Sequence, residues 1–343
     1  MLVSRLHGLE DIRLEEVPEP VAGEDEVRVQ VAYNGVCGSD LHMYFRDKHA
    51  NPTPFILGHE IAGVVDQIGP GVQDIAEGTR VAVRPLLQCG TCERCHRGLS
   101  HLCTPPRLLG CGGLEGGGLA NYCVAKAHMV YPLPDSVSLE LGALVEPMAV
   151  SYHGVMRGDV DAGMKVVVFG AGPIGIGVLL ALRAIGVEDV FVVEPSPQRR
   201  DAAISLGATE AIDPRSVDVV EVVRSRGKSA ADVVFECAGT QASFTQAVSS
   251  LQARGRLVML AMYEDPIEWD PGALMFNEVQ VRGSMCYADG VYESVIDLMA
   301  SGHYPTSGWV EHIPWGGLVE EGFIPLRRGE RLKVLVDVGS PPR

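Results

Sequence analysis

The amino-acid sequence predicts an α/β protein with a mainly β region followed by a doubly wound α/β domain. In the first 150 residues, segments such as Glu26–Tyr33 (EVRVQVAY) alternate polar and apolar residues with the period of a half-buried strand. From Lys165 onward, short apolar runs such as Val166–Phe169 alternate with helical segments. This alternation is typical of a parallel sheet that is covered by helices on both faces.

The same periodicities place the remaining elements. The β region has further strands at Ile61–Ile68 and Thr79–Val83, and a helix over Leu139–Met156 leads into the α/β domain. The other strands of that domain are predicted at Val190–Val193, Asp232–Glu236, Arg256–Leu260 and Val279–Gly283. A helix at Tyr292–Met299 and a strand at Lys333–Val338 follow in the last part of the chain.

Composition and charge exclude several classes of protein. Of the 343 residues, 46% are hydrophobic and 21% are charged, which is sufficient to bury a core and argues against disorder. Asp and Glu number 44 against 28 Lys and Arg, so the formal charge is −16. Because a polyanion repels phosphate backbones and anionic lipids, we expect neither nucleic acid nor a membrane surface as a partner.

We expect a cytoplasmic protein. The first ten residues lack the apolar core of a secretory signal. The uncharged run Val166–Leu182 contains several glycines and a proline, and it is shorter than the ~20 residues that a membrane helix needs.

Four of the nine cysteines lie within fifteen residues, at Cys89, Cys92, Cys95 and Cys103. In a reducing compartment such a cluster is typical of a metal site, and four thiolates suit a closed, tetrahedral zinc site. An iron–sulfur cluster is an alternative, but its motif needs three intervening residues before the fourth cysteine and a proline after it. Here seven residues intervene and Thr104 follows. Zinc is therefore the better prediction, and four unligated thiols are the third alternative.

A glycine motif follows the apolar strand at Val166–Phe169. The residues that carry it are Gly170, Gly172, Pro173, Ile174 and Gly175. The pattern G-x-G-x-x-G allows a tight turn and the close approach of a pyrophosphate to a helix N-terminus. Glu194 ends the next strand, nineteen residues after the motif, where an acid binds ribose hydroxyls. The sequence therefore predicts a dinucleotide-binding Rossmann domain, with a glycine turn that binds no ligand as the alternative.

Glu194 indicates NAD rather than NADP, because its carboxylate repels the additional 2′-phosphate of NADP. Arg199 and Arg200 follow five and six residues later. These arginines could bind that phosphate instead, or they could be solvated residues at the start of the next helix.

A second group of candidate metal ligands is spread along the chain. It comprises Cys37, His59, Glu60 and Glu146. A thiolate, an imidazole and one or two carboxylates can bind zinc and leave one coordination position open for chemistry. A purely structural interpretation is a buried thiol, a hydrogen-bonded core histidine and an acid at a helix N-terminus. Spacing along the chain does not show that these residues converge.

The segment Gly58–Val72 has the pattern G-H-E-x2-G-x5-G-x2-V, and the four-cysteine loop and the glycine turn follow it along the chain. In this order, and over the whole chain, these motifs resemble those of the zinc-containing medium-chain alcohol dehydrogenases. The pair Glu146 and Pro147 resembles the Glu-Pro pair that the butanediol, sorbitol and other polyol dehydrogenases have at this position. Classical alcohol dehydrogenases have a cysteine in place of this glutamate. The segments Gly116–Tyr122 and Val193–Arg200 look closest to the butanediol branch.

The resemblance implies an architecture and a set of zinc ligands. A GroES-like catalytic domain at residues 1–150 and 287–343 would enclose the Rossmann domain at residues 151–286, in a homo-oligomer that is a dimer or a tetramer. Two zinc ions per subunit are implied, one of them structural and held by the four-cysteine loop. The implied ligands of the catalytic zinc are Cys37, His59 and either Glu60 or Glu146.

The resemblance also implies hydride transfer from an alcohol to NAD, with zinc acting as a Lewis acid. Ser39 would accept the alcohol proton and His42 would pass it to solvent, although both residues could merely line the turn after Cys37. Sorbitol dehydrogenases have a tyrosine immediately after this histidine, whereas here Met43 occupies that position and Tyr44 follows. A less polar pocket favours a short vicinal diol over a hexitol.

We therefore expect an oxidoreductase that reversibly oxidises a secondary alcohol or vicinal diol, such as 2,3-butanediol, to the ketone. A sorbitol, idonate, threonine or other polyol dehydrogenase of the same group is the main alternative. A non-catalytic relative that binds NAD(P)H is a second alternative. A zinc-ribbon protein that binds nucleic acid conflicts with the charge of −16.

Overall fold

The computed structural model describes residues 1–46, 54–111, 116–226 and 229–339. Its strands are β1 (Leu2–Gly8), β2 (Asp11–Glu16), β3 (Glu26–Gly35), β4 (Phe55–Ile56), β5 (Glu60–Ile68), β6 (Arg80–Val83), β7 (Tyr122–Lys126), β8 (Val130–Pro132), β9 (Lys165–Phe169), β10 (Asp189–Val193), β11 (Glu210–Ile212), β12 (Ala231–Glu236), β13 (Leu251–Met259), β14 (Gln280–Gly283), β15 (Val310–Pro314) and β16 (Lys333–Asp337).

The α-helices in the same residues are α1 (Gly38–Arg46), α2 (Glu93–His96), α3 (Leu139–Gly142), α4 (Val145–Arg157), α5 (Pro173–Ala184), α6 (Pro197–Ser205), α7 (Val219–Ser225), α8 (Gln241–Ser250), α9 (Pro271–Asn277), α10 (Val291–Ala300) and α11 (Ile324–Arg328). Short 3₁₀ turns lie at Ser100–Leu102, Ala127–Met129 and Trp315–Gly317, and a π-helical turn lies at Leu318–Phe323. None of the described helices is both long and apolar enough to cross a bilayer.

The chain divides into two compact units. The first unit comprises Met1–Glu146, Ala288–Ala300 and Val310–Arg343. The second comprises Pro147–Tyr287 and Ser301–Trp309.

The first unit is mainly β. Its described strands form a three-stranded sheet in the order β2-β1-β4 and a larger sheet in the order β15-β16-β3-β5-β6-β8, with β7 paired to β3. In β3, Val27, Val29 and Val31 are no more than 1% exposed, and they alternate with more exposed polar residues. The period-2 pattern thus buries one face of the strand, as the sequence predicts.

The second unit is a parallel sheet in the order β11-β10-β9-β12-β13-β14. Its central strand β9 is buried along its whole length, and Phe191 and Phe235 of the neighbouring strands are no more than 1% exposed. From β9 the chain adds β10 and β11 on one side and β12 to β14 on the other, so the topological switch point lies between β9 and β12. The predicted doubly wound α/β domain is confirmed.

The predicted helix over Leu139–Met156 is two helices, α3 and α4. Ser138 caps α3 by accepting the Leu141 N–H at 3.1 Å. Pro147 is the third residue of α4. In the first turn of a helix the missing N–H of proline costs no hydrogen bond, so Pro147 is compatible with a new helix but not with the middle of a longer one.

Candidate active site

The antiparallel pairing of β3 with β5 brings Cys37 close to His59 and Glu60. The register aligns Gly35, the last residue of β3, with Glu60, the first residue of β5. Cys37 lies two residues after the end of β3, and His59 directly precedes β5. One ligand atom from each of Cys37, His59 and Glu60 lies within 4.8 Å of the other two. His59 and Glu60 are 4% and 0% exposed, so two members of this cluster are fully withdrawn from solvent.

Both ring nitrogens of His59 have polar neighbours. Ser39 Oγ lies 3.4 Å from Nε2, whereas Cys111 Sγ lies 3.1 Å from Nδ1. Asp40 Oδ1 lies 3.6 Å from Nδ1, and the other carboxylate oxygen of Asp40 accepts the Cys37 N–H at 2.9 Å. Burial lowers the pKa of His59, but the nearby charges of Cys111 and Asp40 raise it, and the pKa lies well above its ordinary value. The ring therefore lies in a strongly negative environment.

Glu60 is paired with a residue from the last strand of the chain. Lys333, the first residue of β16, donates from Nζ to Glu60 Oε2 and, at 2.9 Å, to the Val36 carbonyl. The side chains of Lys333 and Glu60 are both 1% exposed. The other carboxylate oxygen, Oε1, is buried and has no hydrogen-bond partner among the described residues. Gly35 provides the space for this carboxylate, because a Cβ there would stand 1.8 Å from Oε2.

This cluster fits a zinc ion. Cys37, His59 and Glu60 offer sulfur, nitrogen and oxygen, which are the donor types that zinc binds in proteins. The carboxylates of Asp40 and Glu60 are both fully buried next to the Cys37 thiol, and the Lys333 ammonium pairs with that of Glu60. Buried negative charge requires a counter-charge, and the unpartnered Oε1 indicates the same need.

Glu146, the other candidate carboxylate, is 7% exposed and is the second residue of α4. It does not belong to the set of mutually close ligand atoms that the described residues form around Cys37. Burial, and then the charge of Glu146, raise the pKa of Tyr292 well above its ordinary value. In this geometry, the carboxylate that joins Cys37 and His59 is that of Glu60.

Helix α1 carries the predicted proton-relay residues. Ser39 is its second residue and reaches the His59 ring, whereas His42 lies three residues further along and is partly exposed. Met43 is partly buried against the hydrophobic core of the first unit. Within one turn, α1 therefore extends from Ser39, which lies beside the candidate metal ligand His59, to the partly exposed His42.

The four cysteines of the zinc-loop prediction also converge. Their Sγ atoms lie within 4.8 Å of one another, with 3.9 Å between Cys89 and Cys95 and 4.0 Å between Cys92 and Cys103. For zinc–sulfur bonds of about 2.3 Å, the edge of a sulfur tetrahedron is ~3.8 Å. The N–H groups of Cys92 and Cys89 donate to Cys89 Sγ and Cys103 Sγ, each at 3.3 Å. This lobe fits a zinc ion held by four sulfurs.

The glycine motif forms the turn between β9 and α5. Gly170 has φ +93°, in the left-handed region that favours glycine. A Cβ at Gly175 would stand 1.8 Å from the Gly170 carbonyl oxygen. Beside Gly172, by contrast, a Cβ would meet nothing within 4 Å, and Pro173 and Ile174 begin the helix directly after it. This open space at a helix N-terminus fits the pyrophosphate of a dinucleotide.

Glu194 is joined to the glycine turn. Its Oε2 accepts the Ala171 N–H at 2.8 Å and its Oε1 accepts the Ser196 N–H at 2.9 Å. Arg199 lies in the first turn of α6, where its N–H points at Ser196 Oγ at 3.5 Å. The Arg200 guanidinium donates to the Glu194 carbonyl at 2.8 Å. Arg200 is therefore used to brace the strand end that carries Glu194.

Two family models match the chain. Residues 23–135 match the alcohol dehydrogenase GroES-like domain, and residues 173–301 match the zinc-binding dehydrogenase domain. The chain is 35% identical to (R,R)-butanediol dehydrogenase of Bacillus subtilis (strain 168), over 98% of this chain and 99% of that protein. The chain belongs to the zinc-binding alcohol dehydrogenase family. A sorbitol dehydrogenase of the same strain is 33% identical, over 88% of this chain and 86% of that protein.

Solved structures of this family share the fold. The crystal structure of 2R,3R-butanediol dehydrogenase from Bacillus subtilis has a TM-score of 0.91 at 35% identity and covers 98% of this chain and 99% of its own. A zinc-binding dehydrogenase from Sinorhizobium meliloti 1021, bound to NADP, has a TM-score of 0.92 at 30% identity and covers 98% of both chains. An alcohol dehydrogenase from Escherichia coli CFT073, complexed with NADH, has a TM-score of 0.90 at 26% identity and covers 98% and 99%.

As a member of this family, the chain is an oxidoreductase that acts on the CH–OH group of alcohols or diols, with zinc and a nicotinamide dinucleotide as the family's cofactors. The predicted family, its polyol group, its fold class and its enzyme class are confirmed. The alternative of a zinc-ribbon protein that binds nucleic acid is replaced by this assignment.

Three residues beside the candidate metal ligands Cys37, His59 and Glu60 were not predicted from the sequence. Asp40 lies inside the segment that contains Ser39 and His42, but nothing in the pattern separates it from a surface acid. Cys111 lies in a glycine-rich loop and carries no signal of its own. Lys333 directly precedes an apolar run in a predicted strand, and a lysine at a strand end is as compatible with solvent as with burial.

Proposed function

We propose that this enzyme is a zinc- and NAD-dependent dehydrogenase that reversibly oxidises a secondary alcohol or vicinal diol of the 2,3-butanediol type to the ketone. The observation that carries this proposal is the convergence of Cys37, His59 and Glu60 beside the Ser39 hydroxyl. The first unit is the catalytic domain, and the second unit is the cofactor domain.

The residues that would hold the catalytic zinc are Cys37, His59 and Glu60. When bound there, zinc supplies Lewis-acid chemistry that lowers the pKa of an alcohol. Ser39 Oγ accepts the proton of the substrate hydroxyl and gives up its own hydroxyl proton toward His42. His42, one turn along α1, passes a proton on to solvent.

A second zinc is structural and lies in the four-cysteine lobe. With four sulfurs around it, this zinc has no open coordination position and contributes stability rather than chemistry. The sulfur spacings of 3.9 and 4.0 Å support this assignment. The subunit therefore holds two zinc ions.

The cofactor is NAD rather than NADP. A 2′-phosphate on the ribose would meet the Glu194 carboxylate, which is 5% exposed and held by two backbone N–H groups. Two of the nearby cations are already engaged: Arg200 pairs with Asp213 at 3.3 Å, and Arg215 pairs with Asp213 at 3.0 Å. Their charge is therefore partly neutralised before any phosphate arrives.

The substrate class follows from the relatives and from α1. The Bacillus subtilis relative is a butanediol dehydrogenase, and its similarity extends over 98% of this chain. Met43 places an apolar side chain directly after His42, which suits a short diol with methyl ends. The sorbitol dehydrogenase relative supports a polyol substrate as the second candidate.

A substrate panel tests this proposal. Purified enzyme loaded with zinc is assayed for NADH formation with each stereoisomer of 2,3-butanediol and with sorbitol, and then with NADP in place of NAD. We expect the highest kcat/KM for one butanediol stereoisomer with NAD. Faster oxidation of sorbitol would show that the proposed substrate class is wrong, and it would leave the proposed zinc chemistry unchanged. Absence of turnover with every alcohol and both cofactors would overturn the proposal.

The enzyme works as a homo-oligomer in the cytoplasm. Strand β14 ends the parallel sheet of the described residues, and the neighbouring helix α9 exposes Met275 and Phe276 at 67% and 83%. An unpaired strand edge beside large exposed apolar side chains is typical of a subunit interface. All nine cysteines lie in the described residues and none of them is in a disulfide, as in a reducing compartment. Sedimentation of the Phe276→Asp variant tests the interface, and we expect smaller assemblies.

A further inference from the structure

Lys333, which forms a buried pair with Glu60, does not belong to the ligand set that the sequence predicts. The two residues lie 273 positions apart in the chain, and both side chains are 1% exposed. Lys333 donates to Glu60 and to the Val36 carbonyl. Withdrawing an ammonium from water is costly unless it is paired and hydrogen-bonded. The buried Lys333 ammonium therefore constrains the carboxylate of Glu60, which is a candidate zinc ligand.

The pair determines which oxygen of Glu60 can face a metal. Oε2 accepts the hydrogen bond from Lys333 and packs so tightly against Gly35 that a Cβ there would stand 1.8 Å away. Oε1 is buried and has no hydrogen-bond partner among the described residues. The carboxylate thus presents one oxygen, while the ammonium retains the other.

We propose that Lys333 is a positioning residue that restricts Glu60 to a one-oxygen presentation toward the catalytic metal. This inference rests on the proposed function, because it requires a metal at Cys37 and His59. A catalytic zinc needs an open coordination position, and a carboxylate bound through both oxygens would fill it. The ammonium also repels a cation nearby, so Lys333 weakens metal binding relative to a neutral residue.

Cobalt substitution tests this proposal. Co²⁺ replaces zinc in the enzyme, and its visible absorption reports the coordination number. The spectrum of Cys37→Ala is subtracted to remove the contribution of the four-cysteine lobe. In Lys333→Met we expect the weaker bands of higher-coordinate cobalt and metal binding about tenfold tighter in chelator competition, because a like charge is removed and Oε2 is freed. In Lys333→Arg, which keeps the charge and the donor, we expect the wild-type spectrum.

Lys165→Met is the matched control. Lys165 is another buried lysine, 6% exposed, but it donates to the backbone carbonyls of Val223 and Ser229 at 3.1 and 2.8 Å and lies in the second unit. Its loss should reduce stability and leave the cobalt spectrum unchanged. If Lys333→Met does not fold, Lys333→Gln replaces it, since the amide removes the charge and keeps a donor.

The outcomes separate this inference from the proposed function. Wild-type cobalt bands and wild-type affinity in a folded Lys333→Met or Lys333→Gln protein would overturn the positioning role alone. If the wild-type enzyme shows no cobalt bands beyond those of Cys37→Ala, the proposed function and this inference fail together.

Discussion

The carboxylate of Glu194 accepts the backbone N–H of Ala171 at 2.8 Å, which ties the end of β10 to the glycine turn after β9. One residue thus serves two purposes. It fixes the turn that receives the pyrophosphate, and it keeps a negative charge at the position where the adenosine ribose binds in such domains. The cofactor preference and the shape of the turn are therefore coupled.

Replacing Glu194 with Ala should weaken NAD binding and reduce the discrimination against NADP. Each hydrogen bond from a ribose hydroxyl to a charged acceptor contributes roughly 1.5–3 kcal/mol to binding. The KM for NAD should therefore rise at least about tenfold. Initial rates with both cofactors provide the measurement. Glu210→Ala is the control, since Glu210 pairs with Arg226 in the same unit away from the turn. An unchanged NAD to NADP ratio would remove Glu194 from the cofactor site.

Ser39→Ala should lower kcat without releasing zinc. Loss of a positioned proton acceptor reduces rates by about 100-fold to 10,000-fold. The measurement is kcat as a function of pH, together with zinc content by mass spectrometry. Ser138→Ala, which removes the cap of α3 in the same unit, should reduce thermal stability and leave kcat unchanged. Equal effects of the two substitutions on kcat would argue against the relay.

Met43→Tyr should shift specificity toward sorbitol. A phenol directly after His42 adds a hydrogen-bonding group for a polyhydroxylated substrate and fills space next to a short one. The ratio of kcat/KM for sorbitol to that for 2,3-butanediol is the quantity to measure, and we expect it to rise. Met43→Leu serves as the apolar control. If the ratio is the same in all three proteins, Met43 does not line the substrate pocket.

Cys95→Ser should remove about one zinc ion per chain and lower the melting temperature. The substitution breaks a set of four sulfurs that lie within 4.8 Å of one another in a lobe with few buried side chains. Zinc content and differential scanning fluorimetry give the measurement. Because this lobe supplies stability and not chemistry, the folded fraction should keep its turnover number. Full zinc content in Cys95→Ser would contradict a structural zinc there.

The lowered pKa of Asp213 makes the stability of the cofactor domain depend on pH in acid. Hydrogen bonds from Arg215 lower this pKa to about 2, from 3.8. A depressed carboxyl pKa stabilises the fold above pH 3.8, and this stabilisation is lost as the pH falls through about 2. Arg215→Ala should raise the pKa of Asp213, as measured by NMR titration. The stability difference between the two proteins should be present at neutral pH and disappear in acid.

Local pattern was sufficient for most of the second unit. The continuous apolar run of β9 and the glycine turn after it are local features, and they predict a parallel sheet with its dinucleotide turn. Strand β11 was missed because its three residues carry no periodicity. The break between α3 and α4 was also missed, although Pro147 is compatible with the first turn of a helix and not with its middle.

Local sequence patterns do not predict that Cys37, His59 and Glu60 come together. Cys37 and His59 are brought together by the β3–β5 register, which the strand pattern alone does not define. Lys333 reaches Glu60 from 273 residues away, so no local spacing predicts the pair. The choice between Glu60 and Glu146 as zinc ligand depends on such distant contacts.

The most direct test of the central claim compares wild-type enzyme with Cys37→Ala, with NADH formation from 2,3-butanediol and bound zinc measured on the same samples. We expect wild type to hold about two zinc ions per chain and to turn over. Cys37→Ala should fold, retain the zinc of the four-cysteine lobe and form no NADH. Wild-type turnover in a folded Cys37→Ala protein that has lost no zinc would contradict the assignment of this cluster as the catalytic centre.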